Sequence, residues 1–184
     1  MAIGLIIFLA VVGVLILSIF GIYNSLVTLR MRVEESWSQI DVQLKRRADL
    51  IPNLVETAKG YMKHERAVFE HLAEARKAIR EAEGAAEAQE ADRQLRRSLD
   101  RLFALAEDNP ELRASENFVH LQEELADTED KIAYARQFYN TNVMEYNTKL
   151  QVFPATLVAN FFGFTRKDFF QAEEAEREAP AVEF

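Results

Sequence analysis

The hydrophobic positions divide the chain into two regimes. From Ala2 to Tyr23 the run AIGLIIFLAVVGVLILSIFGIY carries no charge and is apolar on every side. As a helix it measures about 32 Å, enough to cross a hydrocarbon core of about 30 Å. From Val33 onward a heptad register takes over. One set is Val33, Ile40, Arg47, Leu54, Tyr61, Val68 and Ala75, and the other is Trp37, Leu44, Ile51, Ala58, Glu65, Leu72 and Ile79. Alternating steps of four and three residues mark a helix packed along a nearly parallel or antiparallel neighbour. The phase passes Pro52 unchanged, so the register predicts one kinked, continuous helix from Asn24 to Arg80, with Gly60 as a second weak point.

The Ala/Glu-rich stretch EAEGAAEAQEAD, residues 81–92, reads as a turn at Gly84 followed by a solvated helix start. A second helix carries Leu95, Leu99, Leu102 and Ala106 and stops at Asp108-Asn109-Pro110, where Asn109 suits an N-cap and Pro110 a first helical position. A third seam runs through Phe118, Leu121, Leu125, Thr128, Ile132, Ala135, Tyr139, Asn142, Tyr146 and Leu150, ending before Pro154. Beyond it lie the apolar segment ATLVANFFGF, the pair Phe169-Phe170 and an acidic tail whose composition predicts a mobile end. No strand pattern, hairpin signal or internal repeat is visible. The predicted fold class is all-α: an N-terminal transmembrane helix, residues 1–24, then an antiparallel up-and-down helical bundle with coiled-coil-like seams, residues 25–164, then an acidic tail, residues 165–184.

A cleaved signal peptide would show a basic leader, a shorter apolar core and small residues at its exit. Here no Lys or Arg precedes the run, and the exit Ser18-Ile19-Phe20-Gly21-Ile22-Tyr23 is mostly bulky, so a retained anchor is expected. The first basic residues, Arg30 and Arg32, follow the span, which by the positive-inside rule places the N-terminus outside and the bundle in the cytoplasm. The absence of Cys agrees with a reducing compartment and excludes a cysteine-linked lipid anchor.

The net charge of −8, from 30 acidic and 22 basic residues, argues against nucleic acid as a partner. The single dense basic cluster, Lys45-Arg46-Arg47, is flanked by Asp41 and Asp49 and reads as a salt-bridged helix face. None of the three His has Glu three residues before it, which a di-metal carboxylate bundle would need. His64 and His71 flank Glu70 and read as solvated residues at the tip of a helical hairpin. With no phosphate loop, nucleophile elbow or zinc-protease motif, the residues nominate no catalytic site, cofactor or metal.

The candidate residues are therefore structural. Trp37 holds a seam position and is expected to be buried. Asn142 and Tyr146, in the Tyr/Asn-rich run 139–147, are candidates for a hydrogen-bond network between helices or subunits. If the third helix runs antiparallel to the first, with Leu26 opposite about residue 152, Arg47 should face the neighbourhood of residue 131, a stretch with five acids, Glu123, Glu124, Asp127, Glu129 and Asp130, of which Asp127 and Asp130 are the named candidates for the pairing. The same register brings Phe161, Phe162 and Phe164, with Phe169 and Phe170, to the membrane-proximal end of the body, as a candidate membrane interface.

Three stretches, WSQIDVQLKRRADLIPNLVETAKGY, ENFVHLQEELADTEDKIAYARQFYNTNVMEYN and FPATLVANFFGF with the following DFFQAEEAERE, together resemble the LemA family of bacterial membrane proteins over essentially the whole chain. The resemblance implies a single N-terminal span in the bacterial inner membrane with a helical body on the cytoplasmic side. It implies no reaction and supplies no catalytic residues.

Two functional expectations follow. The first is a non-enzymatic, membrane-anchored scaffold or adaptor that contacts the bilayer through residues 2–23, forms homo-oligomers and engages other membrane proteins. The second is a regulatory subunit of a membrane enzyme such as a protease.

Overall fold

The computed structural model describes residues 2–62 and 65–170. His64 and residues 171–184 of the expected acidic tail lie outside the described residues. Six helices follow in order: α1 Ala2–Lys59, α2 Arg66–Glu81, α3 Ala85–Glu107, α4 Pro110–Arg113, α5 Glu116–Gln151 and α6 Ala155–Phe162. Among the described residues there is no strand, so the chain is all-α as the periodicity predicts.

The chain forms two compact units. One contains the first part of α1 through Ser36, together with residues 138–168, which hold the end of α5 and α6. Its interior includes Leu26, Val33, Val143, Tyr146, Val158 and Ala159. The other contains the rest of the chain from Trp37 to Gln137 with Phe169 and Phe170. Its interior is built from Ile40, Leu44, Ile51, Leu54, Leu72, Leu95, Leu99, Leu102, Phe118 and Ile132.

α1 is a single helix of 58 residues that passes through Pro52, as its unbroken phase predicts. Pro52 itself is exposed while Ile51 and Leu54 on either side are fully buried. The packed seam thus offsets the roughly 3 kcal/mol that an interior proline costs a helix.

The expectation of continuity to Arg80 fails at Gly60. The helix closes with the amides of Tyr61 and Met62 both donating to the Ala58 carbonyl, and α2 then folds back along α1. Lys59 lies over the Phe69 ring at 5.7 Å, and Arg80 reaches Asp49 of α1 at 3.4 Å. Val68, Leu72, Ala75 and Ile79 remain buried. Both arms of the hairpin face one core, so the apolar phase continues through the reversal and periodicity alone cannot reveal it.

Gly84, at φ 89°, makes the turn from α2 to α3, where the Glu83 amide donates to the Glu87 carboxylate at 2.9 Å. Pro110 does occupy the first helical position after Asn109, but the Asn109 amide donates back to the Leu105 carbonyl at 2.9 Å instead of capping. The helix it opens lasts one turn, buries Leu112 and breaks before α5 begins at Glu116.

α5 buries its predicted seam from Phe118 to Leu150, with Leu121 only half-buried. Polar Thr128 is tolerated there because its hydroxyl donates to the Leu125 carbonyl at 2.8 Å. Within the second unit α5 runs antiparallel to α1: Asn53 and Thr57 share a cleft with Asn117 and His120, whereas Gln39 and Val42 lie beside Lys131 and Tyr134.

Candidate functional site

Three clusters of side chains are candidates for function. The first is an ionic cluster at the centre of the second unit. Arg47 comes from α1, Asp92 and Arg96 from α3, and Glu129 and Arg136 from α5. Arg47 Nη1 lies 3.1 Å from Asp92 Oδ1 and 2.5 Å from Glu129 Oε2. Arg96 bonds Asp92 Oδ2 at 3.1 Å and Glu129 Oε1 at 2.6 Å, and Arg136 reaches the same Glu129 oxygen at 3.4 Å.

Buried charges persist only when paired, and these five satisfy that condition by sharing two carboxylates among three guanidiniums. Burial pushes the Glu129 carboxyl above its ordinary range, against the opposing pull of Arg47 and Arg96. The cluster ties three helices together, with the side chains of Arg47, Asp92 and Arg136 buried and those of Arg96 and Glu129 partly exposed.

Arg47 therefore does find acidic partners: Glu129, one of the five acids expected near residue 131, and Asp92 of α3, but not Asp127 or Asp130, the two named for the pairing. Both named residues are exposed. Asp127 accepts a hydrogen bond from Lys131 at 2.7 Å, which holds its carboxyl below the ordinary range, and it lies 3.9 Å from Arg46. Sequence reasoning missed Asp92 by assigning residues 81–92 to a solvated helix start. A signal was present: Ala88, Asp92, Leu95, Leu99, Leu102 and Ala106 fall at steps of four and three, which places Asp92 on the apolar stripe of α3.

The second cluster explains the Tyr/Asn-rich run of α5. Phe164–Asp168 leave α6 as an extended segment, and α5 holds this segment by its backbone. Tyr146 Oη donates to the Thr165 carbonyl at 3.0 Å. Asn147 Nδ2 donates to the Lys167 carbonyl at 2.8 Å, while the Lys167 amide donates to Asn147 Oδ1 at 3.0 Å. Tyr139 Oη donates to the Asp168 carbonyl at 3.0 Å.

An extended segment beside a helix has no strand to satisfy its backbone, and these side chains supply the missing partners. Burial raises both phenols above their ordinary value; nearby Asp168 adds to the effect at Tyr139, and Arg30 opposes it at Tyr146. Tyr146 thus enters a hydrogen-bond network within the chain. Asn142 is buried, and its amide nitrogen has no hydrogen-bond partner among the described residues.

The third cluster is aromatic. Tyr23, the last residue before polar Asn24 and Ser25, packs edge-on against Phe162 at 4.9 Å and Phe164 at 5.6 Å. Phe161 packs edge-on against Phe162 at 5.0 Å, and the Arg30 guanidinium lies 5.6 Å over the Phe164 ring. Phe170 does not join this group. It stacks on Trp37 at 6.4 Å, beneath the Arg136 guanidinium at 5.2 Å. Trp37 is half-buried where full burial is expected from its seam position, because the fully buried place at this level of α1 goes to the smaller Ser36.

Among the described residues no group of three or more His, Cys, Asp and Glu is placed to hold a metal ion, and His71 is exposed. A cleft of about 670 Å³ is lined by residues of α1 and α5 including Asn53, Asn117, His120 and Glu124.

The comparison with known families is direct. The LemA family model matches residues 36–184. The chain belongs to the LemA family. As a LemA-family member it is also similar to two magnetosome proteins. Magnetosome protein MamQ of Magnetospirillum gryphiswaldense is 26% identical over 179 residues, covering 83% of this chain and 66% of the relative. Magnetosome protein MamQ 2 of Paramagnetospirillum magneticum is 25% identical over the same shares. The match thus spans just under two-thirds of each relative's length. Neither the family description nor the relatives' names state a reaction.

Proposed function

We propose that this LemA-family chain is a bilayer-anchored, non-catalytic helical-bundle protein that assembles with further copies of itself and serves as a scaffold or adaptor for other membrane proteins. One observation carries the reading. α1 is a single helix whose uncharged first part, residues 2–23, has no buried residue, while from Leu26 onward the same helix contributes to a packed core. An apolar surface of that length is unfavourable in water and favourable in a bilayer.

The buried ionisable groups of the ionic cluster are engaged with one another, an arrangement suited to holding helices and not to turning over a substrate. The relatives' names, which mention the magnetosome and no reaction, agree with this. In the proposed topology Arg30 and Arg32 place the body in the cytoplasm of a bacterial cell, with the N-terminus outside.

The test is the mass of the full-length protein purified in mild detergent, combined with protease added outside intact cells. A homo-oligomer whose C-terminal region survives external protease supports the proposal. A monomer without companions overturns it. A stoichiometric different chain overturns it in favour of a regulatory subunit of a membrane enzyme, and external cleavage of the C-terminal region overturns the topology.

A further inference from the structure

We propose that α6 is a second membrane-docking element, lying in the bilayer interface with Phe153, Leu157 and Phe161 among the lipid chains beside the point where α1 enters. The inference rests on the reading of residues 2–23 as a span.

α6 is amphipathic, and its faces are unequal. Ala155, Val158 and Ala159 are buried, while Leu157 is 61% and Phe161 84% exposed. Phe153, in the turn that precedes α6, is 79% exposed. Val152 and Phe162 are each close to half exposed. Val152, Phe153, Leu157, Phe161 and Phe162 thus present five large, exposed apolar side chains within eleven residues, which water does not favour.

The neighbours of these side chains say what covers them. Tyr23 is the last residue before polar Asn24 and Ser25, and at the end of a spanning apolar run that position lies at headgroup depth, where Tyr is favoured. Its ring contacts Phe162, and Phe162 contacts Phe161, so a continuous row of rings leads from the exit of the span to the exposed Phe161. Arg30 follows Tyr23 by seven residues, about 10 Å further along the helix, and its guanidinium lies over the Phe164 ring. The order of apolar helix, aromatic rings and then guanidinium matches the layers of a bilayer interface. α6 is fixed at the aromatic level by the clasp between Tyr23 and Phe162 and by Gly163. At φ 71° this glycine ends the helix in a left-handed turn, with the Phe164 amide donating to the Ala159 carbonyl at 2.9 Å.

The experiment uses the full-length chain with Trp37→Phe, reconstituted in lipid nanodiscs at one chain per disc, with phosphatidylcholine brominated at shallow acyl positions. Single tryptophans are introduced as Phe161→Trp, Leu157→Trp and Phe153→Trp. Each replaces an exposed side chain, so folding is not at stake, and helix content by circular dichroism verifies it. Val14→Trp reports the span itself, and Tyr134→Trp gives the emission of a water-exposed site.

The expected result is that all three α6 probes lose most of their emission in brominated lipid and resist aqueous acrylamide. Quenching at Val14→Trp without quenching at any α6 probe would overturn the proposal while leaving the span intact. Loss of quenching at Val14→Trp as well would overturn the span reading. Protection from acrylamide that appears only when several chains share a disc, without bromine quenching, would show that a second copy covers these side chains and would equally overturn the proposal.

Discussion

Asn147 grips Lys167 with both ends of its amide, donating to the carbonyl at 2.8 Å and accepting from the backbone N–H at 3.0 Å. A side-chain amide here stands in for a neighbouring strand. It anchors the segment that returns from α6 along α5, between the bonds that Tyr146 and Tyr139 make to Thr165 and Asp168.

Asn147→Ala is therefore expected to cost about 1–3 kcal/mol, the sum of two modest net hydrogen bonds. Urea unfolding of the full-length protein in detergent, followed by circular dichroism, measures it. Trypsin should cut after Arg166 and Lys167 faster in the variant than in the native chain. Equal cleavage rates would show that the clasp does not hold the segment.

The tyrosine hydroxyls give this clamp an alkaline limit. Burial raises Tyr139 and Tyr146 above the ordinary phenol value of 10.0. The folded state therefore holds their protons more tightly than the unfolded state. The stabilisation is complete below the ordinary value and is lost as pH rises through the raised folded values. Tyr139 and Tyr146 should ionise late in an ultraviolet titration of the folded protein. The paired change Tyr139→Phe and Tyr146→Phe should remove those two late transitions and reduce the alkaline loss of stability.

The ionic cluster makes an asymmetric prediction. Removing Arg47 as Arg47→Met leaves two guanidiniums and two carboxylates among these residues, whereas Asp92→Asn leaves three guanidiniums around Glu129 alone. Asp92→Asn should thus be the more destabilising, at about 3–5 kcal/mol for breaking a buried pair, and Arg47→Met distinctly less. The double variant should recover part of the Asp92→Asn loss. Thermal or urea unfolding of the three variants decides the order.

Trp37 reports directly on Phe170. The indole is half-buried against that ring, and Phe170 is itself almost fully buried. Phe170→Ala should cost about 3–5 kcal/mol as a core truncation. It should also shift the emission of this sole tryptophan to longer wavelength. An unchanged spectrum would place the indole's shielding elsewhere.

Local pattern was sufficient for much of this protein. The uncharged run of residues 2–23, the all-α class, continuity through Pro52 and the seam of α5 are written in spacing, because helix periodicity and side-chain polarity act within a few turns. Arg47 at a seam position also announced a buried charge needing a partner. The wording of three stretches pointed to the LemA family, which the match over residues 36–184 shows.

Tertiary structure alone decided the direction of the chain after Gly60, since a hairpin whose arms share a core keeps one apolar phase. It alone selected Glu129 from the five acids near residue 131, because rotation of about 100° per residue separates neighbours in sequence onto different faces, and it alone added Asp92, a carboxylate that α3 brings in from 45 residues away. It alone gave the Tyr/Asn run its task, because a helix cannot reveal from its own sequence that an extended segment needs backbone partners beside it.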